Sequence, residues 1–161
     1  PCGLPTPAGV LRHDVITARE MHAKVIARCD AWSPEVFIAV AAVADWRIAN
    51  PAEHKLKKDD AGSVPELRFA PNPDILAEVA GRERAPYCVG FAAESENLLE
   101  HGQAKRARKG VPLLVANIGP DTFGRDENEL LLIDAQGSMS LPRASKSELA
   151  TELVAEISRR I

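Results

Sequence analysis

The chain has 161 residues, with 20 Lys and Arg set against 23 Asp and Glu for a formal net charge of −3. That length suits one domain with a real core, and 45% hydrophobic with 27% charged residues excludes disordered and fibrous classes. A mildly acidic total gives no electrostatic drive toward nucleic acid or an anionic membrane, and the longest apolar run, residues 36–44, is under half of the ~20 residues that a membrane-spanning helix needs.

Residues 1–7 hold three prolines and a glycine and read as an irregular lead-in. Residues 10–15 read as a short strand. Thr17 and Glu20 form a T-x-x-E capping box, and Met21, Val25 and Cys29 follow at helical spacing, which predicts a helix over 18–29. The apolar run 36–44 lacks polar alternation, the pattern of a strand covered on both faces of a parallel sheet, and it ends at Asp45. Residues 48–71 are the least regular stretch. They read as two short strands around a mobile tip, an arm or flap on the domain.

Asn72-Pro73-Asp74 predicts a helix start, with Asn72 as N-cap and Pro73 in the first helical position, ending before Gly81. Residues 87–93 form the next buried strand. Ser95 caps a helix that runs to Lys109 and stops at Gly110. Residues 113–117 read as a strand, and 130–133 with 139–141 as a hairpin through Gln136-Gly137-Ser138 at a sheet edge. Ser145 and Glu148 form a second capping box, and Leu149, Leu153, Val154, Ile157 and Ile161 give the last helix its apolar face. The alternation predicts an α/β fold: a three-layer Rossmann-like sandwich with a mainly parallel sheet and an antiparallel edge hairpin, in one domain over 1–161.

Cys2, Cys29 and Cys88 are odd in number and widely spaced, and His13, His22, His54 and His101 never fall three to five residues apart. This argues against a disulfide framework or structural zinc site. With no basic stretch and apolar core of a secretory signal, a cytoplasmic protein is expected. The ten glycines include no two that are two apart. A G-x-G-x-x-G dinucleotide fingerprint is therefore absent, as are a phosphate loop and a G-x-S-x-G elbow.

Ligands of open α/β sheets sit beyond the carboxyl ends of the strands. Asp45, at such an end, can accept hydrogen bonds from a ribose, hold a metal, or simply terminate its strand. Phe91 can stack on a base or fill the core. Lys105 and Lys109 stand at i and i+4, with Arg108 beside them, and can bind a polyphosphate or complement the helix dipole. Lys55 can close over an anion or remain a solvated surface charge. The 72–74 helix start offers N–H groups to an anion or caps a helix and nothing more.

Taken in order, several runs carry a family resemblance. They are Ala41-Ala42-Val43-Ala44-Asp45-Trp46-Arg47, Lys55-Leu56-Lys57-Lys58, Asn72-Pro73-Asp74-Ile75 and Val89-Gly90-Phe91-Ala92-Ala93-Glu94. Lys105, Lys109, Ala116-Asn117 and Phe123-Gly124-Arg125-Asp126-Glu127-Asn128 follow. The chain resembles the phosphopantothenoylcysteine synthetase domain, the C-terminal half of the bacterial bifunctional decarboxylase/synthetase of coenzyme A biosynthesis. The resemblance implies a CTP-dependent, magnesium-assisted ligase that joins 4′-phosphopantothenate to cysteine through an acyl-cytidylate, and a homodimer whose parent chain carries a decarboxylase domain.

Carried over, the family's nucleotide contacts fall on Ala39, Val40, Ala41, Asp45, Lys55, Pro73, Asp74, Ile75, Leu76, Phe91, Lys105 and Lys109. Asp45 would hold the ribose, the 73–76 helix start would receive phosphate, and Lys55 would act catalytically by neutralising charge during displacement. The family's metal ligands have no counterpart that the sequence identifies. Measured against the family's pattern, the first β-α-β segment, with an essential Asn and an SSGKMG-like run, is expected to be missing, and Pro71 stands where the family usually has Lys. Two other readings are a non-catalytic nucleotide-binding module and an NAD(P)-dependent oxidoreductase. The glycine census opposes the latter.

Overall fold

A computed structural model describes residues 3, 5–52, 54, 66–94, 97–118 and 124–161. The chain divides into two compact units: Pro1–Ala27 with Ala42–Asp74, and Arg28–Ala41 with Ile75–Ile161. Helix α1 (Ala18–Trp32) contributes to both.

In the first unit, α1 begins at the expected Thr17 and Glu20 pair. The Thr17 hydroxyl accepts from the Glu20 N–H at 3.2 Å, while the Glu20 carboxylate reaches one residue further back than a standard box and accepts from the Ile16 N–H at 2.8 Å. That backbone donor holds the exposed Glu20 carboxyl below its ordinary range. Two strands, β2 (Trp46–Ile48) and β3 (Phe69–Pro71), pair antiparallel with Ile48 opposite Phe69. Asn50 pins their open end, donating to the Glu66 carbonyl at 3.2 Å and accepting from the Arg68 N–H at 3.0 Å. The tip expected between these strands, including Lys55, lies largely outside the described residues.

The strand expected over 10–15 does not form. Extended backbone becomes a strand only when a neighbour accepts its ladder bonds, and among the described residues no strand lies beside this one; Val10 and Leu11 are exposed.

The second unit is a five-stranded sheet in the order β1 (Val36–Ala39), β4 (Tyr87–Glu94), β5 (Leu113–Ile118), β6 (Glu127–Ile133), β7 (Ser138–Ser145). β1, β4 and β5 run parallel, and β6 and β7 complete the sheet as an antiparallel hairpin. Helix α4 (Lys146–Ser158) covers one face through Leu149, Leu153 and Ile157, which pack on Val89, Leu113, Val115, Leu130, Leu132 and Leu141. Val154 and Ile161, expected on that face, are exposed. Helices α2 (Ile75–Ala80) and α3 (Leu98–Lys109) cover the other face. Helix, sheet and helix make the three layers that the alternation predicted.

Local chemistry fixes the ends of these elements. The Ser145 hydroxyl accepts from the Glu148 N–H, and the Glu148 carboxylate accepts from the Ser145 N–H at 3.0 Å, so the second capping box is complete. Gly110 ends α3 at φ 66°, a conformation that costs glycine little. The β6–β7 turn is closed by Asp134, whose carboxylate accepts from the Gln136 and Gly137 N–H groups and is bridged by Arg160 at 2.8 Å. Cys29 and Cys88 are free and buried, and burial pushes the Cys88 thiol up to about 11. No helix among the described residues is long and apolar enough to cross a membrane.

The nine-residue apolar run yields a much shorter strand than expected. β1 stops at Ala39, six residues before Asp45, and as an edge strand it is not covered on both faces: Ile38 and Val40 are exposed.

Two glycines set the helix-to-sheet distance. A Cβ on Gly102 of α3 would stand 2.3 Å from Cδ1 of the fully buried Ile133, and one on Gly90 of β4 would stand 2.7 Å from Cδ2 of Leu76. Overpacking a core typically costs ~1–3 kcal/mol. Gly102→Val is therefore expected to lower the unfolding free energy measured by denaturant titration by an amount in that range, even though valine is the better helix former. Asp134 supplies a pH dependence. Backbone donors and Arg160 lower its folded pKa below the unfolded value of about 3.9, so its contribution is whole above that value and is lost as pH falls through the folded one. Asp134→Asn should lower stability at pH 7 and flatten the acid limb of a stability-against-pH curve below pH ~4.

Candidate functional site

The parallel strands β1, β4 and β5 all finish at one edge of the second unit, and the sequence candidates there gather around Gly90. The β1–β4 ladder ends with Ala39 opposite Gly90. β4 then continues through Phe91 to Glu94, where among the described residues it is paired with β5 alone. The backbone of Phe91–Glu94 on the β1 side, and Val40 and Ala41 beyond the end of β1, thus border a step where one strand stops and its neighbour goes on. Small residues at Ala39 and Ala41 leave the backbone approachable, and unladdered N–H and C=O groups are what a planar polar ligand can read.

Leu76 of α2 lies against Gly90 and Leu114, on the face that α3 also covers. A Cβ at position 90 would displace the Leu76 and Leu114 methyl ends, so glycine there gives α2 its close seat, with Leu76 at the level at which β1 ends. Gly102 of α3 rests on Leu114 and Ile133. Lys105 and Lys109 follow it at i+3 and i+7, on the flank of the packed face, and both are half-buried. Arg106 faces elsewhere, donating to the Val111 carbonyl at 3.1 Å, and belongs to the α3–β5 connection.

Phe91 takes the opposite face. Strand alternation places Tyr87, Val89 and Phe91 together, and Phe91 packs on the cluster beneath α4. Its side chain and helix α3 are thus on different sides of the sheet. Asn117, in register with Ala93 and two residues past Val115, sits at the carboxyl end of β5 on the Phe91 side. Asn117 belongs to the Ala116-Asn117 motif, and a polar amide at the carboxyl end of an apolar strand is the signal that singles it out.

Asp45, Pro73 and Asp74 belong to the first unit. Asp45 is exposed and lies on irregular backbone just before β2, not at the end of the strand expected to deliver it. Helix α2 begins at Ile75, so Asp74, not Asn72, precedes the first helical residue. Asn72 turns to the 44–45 segment instead: its N–H donates to the Asp45 carbonyl at 2.8 Å and its Nδ2 to the Ala44 carbonyl at 2.9 Å. Tertiary hydrogen bonds have won over the local cap. Lys55 lies outside the described residues, as does Ser95, and Asn97 precedes α3 at φ 49° without a side-chain capping bond. Among the described residues no three His, Cys, Asp or Glu side chains form a group that could hold a metal ion.

The placements separate stability from site. Asp45→Asn changes an exposed carboxylate, so the unfolding free energy from denaturant titration should hold within ~0.5 kcal/mol. Phe91→Ala removes a half-buried ring packed against the core and should cost up to about 3 kcal/mol by the same measurement, the lower end of the range for a buried phenylalanine.

The DNA/pantothenate metabolism flavoprotein C-terminal domain model matches residues 1–161. The chain is 40% identical over 158 residues to the coenzyme A biosynthesis bifunctional protein CoaBC of Vibrio cholerae, covering 96% of this chain and 39% of that one. It is 42% identical over 165 residues to CoaBC of Escherichia coli strain K12, covering 99% and 40%. The chain therefore spans about two fifths of the length of these relatives. A crystal structure of the CoaBC C-terminal domain superposes with a TM-score of 0.77 at 26% identity, over 99% of this chain and 70% of that one. The mixed sheet with its edge hairpin and the motif order thus converge: the chain belongs to the DNA/pantothenate metabolism flavoprotein C-terminal domain family.

Proposed function

We propose that this chain is the ligase domain of a coenzyme A biosynthesis enzyme, joining 4′-phosphopantothenate to cysteine at the expense of CTP. The observation that carries this reading is the family match over all 161 residues; the step at Gly90, where the β1 ladder ends at Ala39 with Leu76 on one face of the sheet and Phe91 on the other, is in keeping with it. The substrate carboxylate attacks the α-phosphorus of CTP, the bond to the β-phosphate oxygen breaks, and pyrophosphate leaves with the electron pair. The resulting acyl-cytidylate is attacked by the cysteine amine. CMP departs as the amide forms, and the amine loses its proton.

In this reading the backbone of Ala39, Val40 and Ala41 and the strand position of Phe91 meet the base, and Asp45 accepts from the ribose hydroxyls. The segment Pro73, Asp74, Ile75 and Leu76 receives phosphate at the start of α2. Lys105 and Lys109 offset the charge of the triphosphate, and Lys55 neutralises charge that builds during displacement. Magnesium is held largely by phosphates and water, so it enters with CTP, and no step is assigned to it. A homodimer belongs to the same reading. The β2–β3 ribbon presents Trp46, Ile48 and Phe69 exposed on one face, an apolar surface suited to a second copy.

The test is direct. The full-length enzyme that carries this chain, purified and verified by intact mass, is incubated with CTP, 4′-phosphopantothenate and cysteine, beside the 161-residue chain, which is expected to keep part of the nucleotide pocket without full ligase activity. Release of pyrophosphate and CMP by the full-length enzyme, each dependent on all three substrates, is expected. Lys55→Gln should slow turnover by about a hundredfold or more, as expected for loss of a transition-state cation, while CTP binding stays measurable. Binding of CTP without product in the full-length enzyme would favour the non-catalytic nucleotide-binding module, and a titration showing nicotinamide cofactor binding in place of CTP would favour the oxidoreductase.

A further inference from the structure

Asn72 is the residue whose place in the fold departs most from its sequence reading. Its two donors hold consecutive carbonyls, those of Ala44 and Asp45. The orientation of the side chain follows from the chemistry, because only the NH2 end of an amide can bond a carbonyl. With Nδ2 committed to Ala44, Oδ1 is left buried, and it has no hydrogen-bond partner among the described residues. Leaving an acceptor so is unfavourable, and an apolar side chain of the same size would avoid it. What an amide supplies here, and an apolar group cannot, is the donor. Pro73 adds a constraint, since the residue before a proline is held to extended backbone, which presets the direction from which Asn72 approaches.

The bond to Asp45 continues the β2–β3 ladder, in which Trp46 stands opposite Pro71, so what the Asn72 side chain itself adds is its hold on Ala44. Residues 42–44 have no regular structure, and the Asp45 carboxylate is exposed. A carboxylate that must meet two vicinal hydroxyls gains from a fixed backbone, because misplacement by about an ångström is enough to lose a hydrogen bond. We propose that Asn72 is a positioning residue: it fixes the Ala44–Asp45 backbone so that the Asp45 carboxylate is presented to the ribose of the bound nucleotide, without touching the nucleotide itself. This rests on the proposed role of Asp45 as the ribose contact.

The experiment compares affinities for CTP and for 2′,3′-dideoxyCTP, which lacks both ribose hydroxyls, by calorimetric titration of the 161-residue chain. The unsubstituted chain should prefer CTP by about tenfold, the size of one hydrogen bond to a charged group. Asp45→Ala should bring the ratio close to one. Asn72→Ala should reduce it most of the way, with the dideoxy affinity nearly unchanged. In the Asp45→Ala background it should add nothing further, the signature of two residues acting through one contact. Asn72→Ser retains a hydroxyl donor, should recover part of the ratio, and replaces the alanine variant if that one does not fold.

A loss of both affinities in equal measure, or a ratio that Asn72→Ala leaves intact while Asp45→Ala abolishes it, would overturn the positioning role and leave the ribose reading standing. A ratio that Asp45→Ala does not change, or no CTP binding by the unsubstituted chain, would overturn both.

Discussion

The close approach of α3 and α2 to the sheet is the constraint on which the rest of the second unit depends. Gly102 lets α3 sit so low that Ile133 occupies the space a side chain would need, and Gly90 does the same for Leu76 of α2. With those contacts made, β4 and β5 are sealed on this face, while α4 seals the other through Leu149, Leu153 and Ile157. Parallel strands are stable only when both faces are covered. The approach also fixes height along the strands: it brings Leu76 to the row where β1 ends and carries Lys105 and Lys109 down the flank of the packed helix. Core packing and site geometry are set by the same two missing side chains.

Where the determinant is local, the sequence is a sufficient guide. The Ser145 and Glu148 box, the Gly110 stop and the β6–β7 turn are each decided within a few residues, and each forms where its residues predict. The expectations that miss depend on a neighbour. Residues 10–15 have strand composition but no ladder partner among the described residues. The 36–44 run reads as doubly covered because composition reports apolarity and says nothing of which strand lies alongside. β1, as an edge strand, keeps Ile38 and Val40 exposed. Asn72 has the composition of a cap, yet two carbonyls distant in sequence outbid the helix start.

The candidate site divides in the same way. Spacing alone identifies Lys105 and Lys109 as neighbours on α3, and alternation alone puts Phe91 on the face of Val89. Neither signal places the two groups on opposite sides of the sheet, since that requires knowing which helix covers which face. The family resemblance supplies Ala39, Val40 and Ala41, which have no chemical signature at all. Their position at the end of a ladder explains why such featureless residues can border a site: the main chain, freed from pairing, is the polar surface, and small side chains leave it open.

This arrangement suits the chemistry proposed for it. Acyl transfer through a mixed anhydride needs little from acid–base side chains. It needs a triphosphate held with its α-phosphorus open to in-line attack, and water kept from the activated acyl group. A rigid strand end can orient a base through backbone bonds that cost no side-chain entropy. Cations on a helix locked by Gly102 can meet phosphate oxygens with little reorganisation. In the reading proposed above, the ribose contact is Asp45, in the first unit. A carboxylate on irregular backbone could serve there only if something else immobilised it, and the double hold of Asn72 on Ala44 and Asp45 is the immobilising element that the first unit contains.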